Sequence, residues 1–166
     1  MATSLNTAPA PMLHLALYQP DIPQNTGTLL RLCACLGVSA HIIEPAGFDA
    51  SDRNLKRAGL DYLPLVSLTR HLDWQAFHTW ARAGGHRLVL ASTRASEPYT
   101  AFAFARSDVI LLGRESAGVP ETVHEAADAR VTIPMRPGLR SINVAMSGAM
   151  ILGEALRQTG GLTQVD

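Results

Sequence analysis

Three stretches of this 166-residue chain gather the residue types that chemistry needs: Pro23-Gln-Asn25-Thr-Gly27-Thr-Leu-Leu-Arg31, Gly113-Arg-Glu115-Ser-Ala-Gly118-Val-Pro120 and Ile133-Pro-Met135-Arg-Pro-Gly-Leu139-Arg140-Ser141-Ile-Asn143. Asn25 and Asn143 supply amides, Glu115 a carboxylate, Arg31 a planar cation, and the glycines let a backbone approach a ligand closely. Several familiar chemistries fail on spacing. Gly113 and Gly118 have the first spacing of a phosphate-binding P-loop, but Val119 and Pro120 stand where Lys and Ser/Thr must meet phosphate and magnesium. Ser116 lies three residues after Gly113, one too far for the G-x-S-x-G elbow of a serine hydrolase. No strand is followed by G-x-G-x-x-G, and His14, His41, His71, His78, His86 and His124 form no H-E-x-x-H pair. Cys33 and Cys35, two apart, would point about 200° apart on a helix and read as reduced structural thiols.

Helical angles sort the first stretch. At about 100° per residue from Leu29, the residues Leu32, Cys33 and Leu36 stay within about 60° of one direction, while Arg31 lies near 200°. Arg31 therefore turns from its own core, and both a solvated Arg and one presented to an anion or a partner subunit fit. Asn25 reads equally as a helix cap or a site residue. In the third stretch Ser141 is a favourable N-cap whose helix would leave backbone N–H groups facing the loop, suited to an anion. Ala145, Gly148 and Ala149 then give that helix a small face for close packing.

The elements needed to hold these loops are short apolar runs alternating with amphipathic ones. Strands are expected at Leu13–Tyr18, Ala40–Glu44, Leu88–Ala91, Asp108–Leu112 and Arg130–Ile133. Helices are expected from about Leu29 to Leu36, stopped by Gly37, at Asp52–Ala58 and Asp73–Ala83, from near Pro120 to Ala127, and from Ser141 to Gln158. Strands separated by helices imply an α/β fold, a parallel sheet with helices on both faces. In such sheets ligands bind beyond the carboxyl ends of the strands, which selects the loops 19–28, 92–98, 113–120 and 134–140.

Composition limits the partners. With 47% hydrophobic and 17% charged residues the chain is globular, and 14 basic against 14 acidic residues leave no overall basic surface, so RNA contact requires a local patch. Thirteen of the basic residues are Arg, the bidentate phosphate donor. The longest apolar runs are too short to span a membrane. Met1–Pro11 reads as a loose tail on a cytoplasmic protein, followed by a single domain over 12–160.

Taken together and in order, the three stretches resemble the SPOUT class of RNA methyltransferases, and closely its small branch that methylates the ribose 2'-hydroxyl of the tRNA wobble nucleotide, cytidine or uridine. The likeness rests on P-x-N-x-G-x-x-x-R from Pro23 to Arg31, on Leu112-Gly-Arg-Glu-Ser-Ala-Gly-Val-Pro120, and on Ile133-Pro-Met135 with Arg140-Ser-Ile-Asn143. It extends to His41-Ile-Ile-Glu-Pro-Ala-Gly-Phe48 and Arg57-Ala-Gly-Leu-Asp-Tyr62, and covers about Leu13 to Gln158. Two features depart from the branch: Val144-Ala-Met-Ser147 replaces a polar Leu-Ser-Asn run, and Arg114 stands where Pro is frequent.

The resemblance implies a C-terminal trefoil knot and an S-adenosylmethionine pocket needing no metal. Cofactor contacts would fall on Ala91, Gly113, Ile133 and Ser141, with Met135 and Leu139 as walls. Asn25, Glu115, Ser141 and Asn143 would orient ribose and loops. Arg31 would stabilise the developing alkoxide or hold the adjacent phosphate, since a guanidinium that stays protonated is a poor literal base. The likeness also implies a homodimer in which Arg31 enters the partner's site, and a tRNA anticodon stem-loop as substrate. Methylation of another tRNA or rRNA nucleotide, or a non-catalytic RNA-binding module, are the alternatives to this reading.

Overall fold

A computed structural model describes residues 12–57 and 61–162, so the Met1–Pro11 tail and the expected helix end at Ala58 lie outside the described residues. Six strands, β1 (His14–Tyr18), β2 (Ser39–Ile43), β3 (Leu68–His71), β4 (Leu88–Ala91), β5 (Val109–Leu112) and β6 (Ala129–Val131), form one sheet in the order β3-β2-β1-β5-β4-β6, with every pairing parallel. The apolar residues of the central strands alternate between two buried clusters. Leu15, Leu17, Ile110 and Leu112 belong to one; Ala16, Tyr18, Val109 and Leu111 belong to the other. A sheet apolar on both faces must be covered on both.

Helices α1 (Pro23–Leu36) and α5 (Val144–Thr159) cover the first face through Leu29, Leu30, Cys33, Ile151, Leu152 and Ala155. Helix α2 (Asp52–Arg57) adds Leu55 to the same cluster. Helices α3 (Trp74–Ala83) and α4 (Glu121–Ala126) cover the second face with Phe77, Ala81 and Val123. Helix α1 stops at Gly37, whose φ of 67° is the left-handed conformation that a residue lacking Cβ adopts without penalty. Strand order reverses beside β1, whose following helix leads toward β2, and β5, whose following helix leads toward β6. That reversal opens a crevice at the carboxyl edge.

Four local features stand out against the sequence pattern. Strand β3 lacks an apolar alternation because Thr69 and Arg70 are exposed on a sheet edge; pairing with β2 forms it. Asn143, not Ser141, caps α5: its Oδ1 accepts from the Ala145 and Met146 N–H groups, and the helix begins at Val144. Leu30, about 100° from Leu29 and outside the face that the helical angles assign to the core, is nevertheless buried. Gly148 serves the chain's own packing, since a Cβ there would stand 2.8 Å from side-chain atoms of both Leu112 and Leu29. The outward apolar stripe of α5 is instead Met146, Ala149 and Met150, the two methionines being 64% and 41% exposed.

Candidate active site

The loops after β1, β4, β5 and β6 meet at the crevice and enclose a cavity of about 540 Å³. All four residues expected to hold the cofactor, Ala91, Gly113, Ile133 and Ser141, line it, and so do Asn25, Glu115 and Asn143. Met135 lines it as well. Leu139 is not among the lining residues and is exposed. Arg31 is the candidate that the fold keeps away: it is exposed on α1, with its guanidinium carbon 4.5 Å from the centre of the Tyr62 ring. That separation is the one its helical angle required.

The three stretches are tied by hydrogen bonds at the crevice. Asn143 Nδ2 donates to Asn25 Oδ1 at 3.1 Å, and Asn25 Nδ2 reaches Glu115 Oε1 at 3.5 Å. Asp21, in the loop after β1, grips Glu115 reciprocally. The Asp21 N–H donates to Glu115 Oε2 at 3.1 Å, and the Glu115 N–H donates to Asp21 Oδ1 at 3.2 Å. The Ser116 hydroxyl donates to the other Asp21 oxygen. Hydrogen bonds with Glu115 and Ser116 hold Asp21 well below the usual carboxylate range. Burial raises the Glu115 carboxyl, and the adjacent Asp21 carboxyl raises it further.

Gly113 lines the cavity and also shapes its loop. A Cβ at this position would lie 2.8 Å from the Gly118 backbone, and Arg114 and Gly118 exchange 2.9 Å backbone hydrogen bonds in both directions. The glycine at this cavity-lining position thus lets its own loop close. Arg114 Nη1 reaches Gln19 Oε1 at 3.4 Å, and Gln19 takes a left-handed φ of 41° directly after β1.

Sequence reading missed Asp21, Arg94 and His124. Asp21 precedes the first stretch by two residues, and nothing in its spacing shows that it will meet Glu115, 94 positions on. Arg94 lines the cavity and pairs with Glu121 at 2.8 Å. His124 also lines it, and among the described residues its Nε2 is buried without a hydrogen-bond partner, as is Arg114 Nε. These orphaned atoms fit a polar ligand, while Leu90, Leu112, Val131, Ile133 and Ile151 give an apolar wall. A purine nucleoside bearing a charged tail matches that mixture, and the residues present therefore fit S-adenosylmethionine.

The parallel α/β sheet thus carries, at its reversal point, a cavity bounded by an amide–carboxylate network and a closed glycine loop, where open α/β sheets bind small molecules. Residues 12–153 match the SpoU rRNA Methylase family, and the chain belongs to that family. It is 66% identical over 151 residues to a tRNA (cytidine(34)-2'-O)-methyltransferase of Beijerinckia indica, covering 91% of this chain and 94% of that protein. A solved structure described as giving insights into the 2-OH methylation of C/U34 on tRNA superposes with a TM-score of 0.82 at 42% identity, over 91% of this chain and 97% of that one. The SpoU methyltransferase of Streptomyces viridochromogenes, solved in complex with AdoMet, gives a TM-score of 0.81 at 26% identity, over 92% of this chain and 62% of that one.

Proposed function

We propose that this protein methylates the ribose 2'-hydroxyl of the wobble nucleotide of tRNA, cytidine or uridine, using S-adenosylmethionine. The observation that carries the reading is the joining of Asn25, Glu115 and Asn143 on one cavity at the strand reversal, in a chain 66% identical to a protein of that name. S-adenosylmethionine, when bound, supplies a methyl group on a sulfonium, a good leaving group. The chain's task is to hold the cofactor and present an alcohol that is not ionised at neutral pH.

Ala91, Gly113, Ile133 and Ser141 line the cofactor pocket, with backbone groups and apolar walls recognising the nucleoside. Asn25, Glu115 and Asn143 orient the ribose and fix the loops, so that most of the rate comes from positioning. Arg31 stabilises the developing alkoxide or grips the neighbouring phosphate, and it does so in the site of a second copy. Its exposure, and the apolar stripe of Met146, Ala149 and Met150 on the neighbouring α5, favour a homodimer through α1 and α5. The remaining parts of the reading are an anticodon stem-loop substrate, a cytoplasmic protein, one domain over 12–160, and a C-terminal segment threaded as a trefoil knot. The Gln158 side chain, which ties the end of α5 to the Phe102 carbonyl and the Phe104 N–H, favours a tightly engaged C-terminus.

The test incubates purified protein and methyl-labelled S-adenosylmethionine with total tRNA from cells lacking the protein. Label is expected in nucleotide pairs that resist alkaline hydrolysis, the signature of a blocked 2'-hydroxyl. Label confined to base-methylated mononucleotides, or none at all, overturns the reading.

A further inference from the structure

The chain carries as many acidic as basic residues, so the places where cations keep no partner decide where a polyanion can sit. Arg70, Arg82, Arg87, Arg94 and Arg157 are held in ion pairs, and Arg114 and Arg130 donate to a side-chain amide or to carbonyls. Among the described residues the other cations meet no carboxylate, amide or carbonyl, and all of them are exposed. Arg136 and Arg140 lie on the loop after β6, at the crevice, and Arg106 lies before β5, at the opposite edge of the sheet. The rest gather beside one another: Arg53, Lys56 and Arg57 on α2, and Arg31 on α1.

The fold holds α2 firmly and at the same edge as the crevice. The segment leading into it leaves the carboxyl end of β2, and its Gly47 N–H donates to the Pro20 carbonyl of the loop after β1 at 2.8 Å. Arg70 of β3 then staples the start of α2, donating to the Ala50 carbonyl at 3.1 Å and pairing with Asp52. Both α1 and α2 pack on the 3-10 turn Leu63–Leu65, and Arg31 lies over the Tyr62 ring that precedes it. Leu55 is the buried residue of α2, and Arg53 and Arg57 stand about 160° and 200° from it, so both face outward one turn apart. The acids nearby are Asp49, which accepts from the Ser51 N–H, Asp52, which is taken by Arg70, and the exposed Asp61. Lys56 and Arg57 suit the carboxyl end of their helix, but the helix dipole disfavours Arg53 in the first turn, so helix stability does not account for it.

We propose that the outer face of α2 is a clamp for the phosphate backbone of the RNA. Arg53, Lys56 and Arg57 of one copy grip the stem that flanks the anticodon loop, while the target nucleotide reacts in the cavity of the other copy. This rests on the function and the dimer proposed above: Arg31 enters the second copy's site, and α2, its neighbour at the same edge, lies where the RNA leaves that site. The stem is a polyanion outside the cavity, and two of the cavity's own cations are engaged, Arg94 by Glu121 and Arg114 by Gln19. Two arginines one turn apart, each able to hold a phosphate through two N–H groups, fit a backbone and carry no base information.

The test measures tRNA retention on filters and steady-state methyl transfer at several salt concentrations. The triple variant Arg53→Gln, Lys56→Gln, Arg57→Gln should raise the KM for tRNA about tenfold or more, with kcat within about twofold of wild type. It should also lower the slope of log affinity against log salt by about two to three, while S-adenosylmethionine affinity and melting temperature stay at wild-type values. The double variant Arg53→Lys, Arg57→Lys keeps the charge and should keep the salt slope, which separates lost charge from lost structure. A stem-loop fragment should respond to the triple variant as whole tRNA does, and a loop oligonucleotide without the stem should bind both proteins alike. To place the clamp, the triple variant also carries Arg31→Ala and is mixed with Ala91→Trp, which fills the cavity, so that only mixed dimers turn over. Their KM should be close to wild type; a raised KM puts α2 beside its own copy's cavity and overturns the placement. An unchanged KM and salt slope in the triple variant, or an equal loss with the loop oligonucleotide, overturns the clamp and leaves the proposed function standing. Wild type that binds tRNA through these cations but methylates no ribose overturns the function and leaves the surface standing.

Discussion

Asn143 caps α5 by accepting from the Ala145 and Met146 N–H groups through Oδ1, and the same amide donates through Nδ2 to Asn25 at 3.1 Å. One side chain thus fixes the start of the last helix and joins the third stretch to the first. Asn143→Asp retains the capping oxygen and loses the donor. It should leave thermal stability near wild type and reduce methyl transfer by about tenfold or more through misplacement of Asn25. Asn143→Ala should in addition lower unfolding free energy by about 1 kcal/mol, measured by denaturant titration.

Gly113→Ala should damage the β5 loop. The added Cβ meets the Gly118 backbone, which is not a flexible side chain that can step aside. A stability loss of about 1–3 kcal/mol is expected, with weaker S-adenosylmethionine binding in calorimetry performed in excess chelator. Wild-type affinity and melting temperature in this variant would remove the loop-closure role. Affinity in wild-type protein that appears only on adding metal would contradict a metal-free pocket.

Three histidines run across the second face of the sheet. His14 Nδ1 and His41 Nε2 are 2.9 Å apart, as are His41 Nδ1 and His71 Nε2. Burial lowers all three, His14 to about 4 and His41 to about 3, with the neighbouring imidazoles adding to the effect at His14 and His41. The unfolded chain binds these protons near pH 6.5 and the folded chain does not. Their stability contribution is therefore complete above about pH 6.5 and is lost as pH falls toward 4 and then 3. The melting temperature should decline through that window, and His41→Gln should flatten the decline. A midpoint independent of pH between 6.5 and 4 would show that the imidazoles are not held neutral.

Arg31→Ala should abolish most methyl transfer with little loss of stability, because its side chain is exposed and its guanidinium lies over the Tyr62 ring. Ala91→Trp should block the cavity from the end of β4. If Arg31 acts across a dimer, the mixture of the two variants regains activity. Half the dimers would be mixed, each with one intact site, giving about a quarter of wild-type activity after random exchange. A mixture no more active than its parents would place Arg31 in its own subunit's chemistry or outside it.

The sheet was largely legible because its strands are buried on both faces. Leu88–Ala91 and Val109–Leu112 are continuous apolar runs that few other environments accommodate. Leu68–His71 was not, since an edge strand with Thr69 and Arg70 in solvent carries no such run. Asn25, Glu115 and Asn143 could be chosen from local residue type and loop position. Asp21 could not, because its meaning comes from the pairing of β1 with β5, which brings two distant loops together. The cap of α5 is Asn143 rather than Ser141 for a related reason: two polar residues, one on each side of Ile142, compete for one role, and the bond to Asn25 favours the second. Arg31 was assigned away from its core by angle alone, and its exposure agrees. Leu30 shows the limit of that geometry, since a helix wedged among a sheet, α5 and the 3-10 turn Leu63–Leu65 buries more than one stripe.

The most direct measurement is nucleotide-resolved mapping of ribose methylation in tRNA from cells with and without this protein, by mass spectrometry of nuclease fragments. The wobble cytidine or uridine of some tRNAs should carry a 2'-O-methyl group only when the protein is present, and an Arg31→Ala copy should fail to restore it. Unchanged methylation at that nucleotide, with loss at another tRNA or rRNA position, would contradict the assigned target.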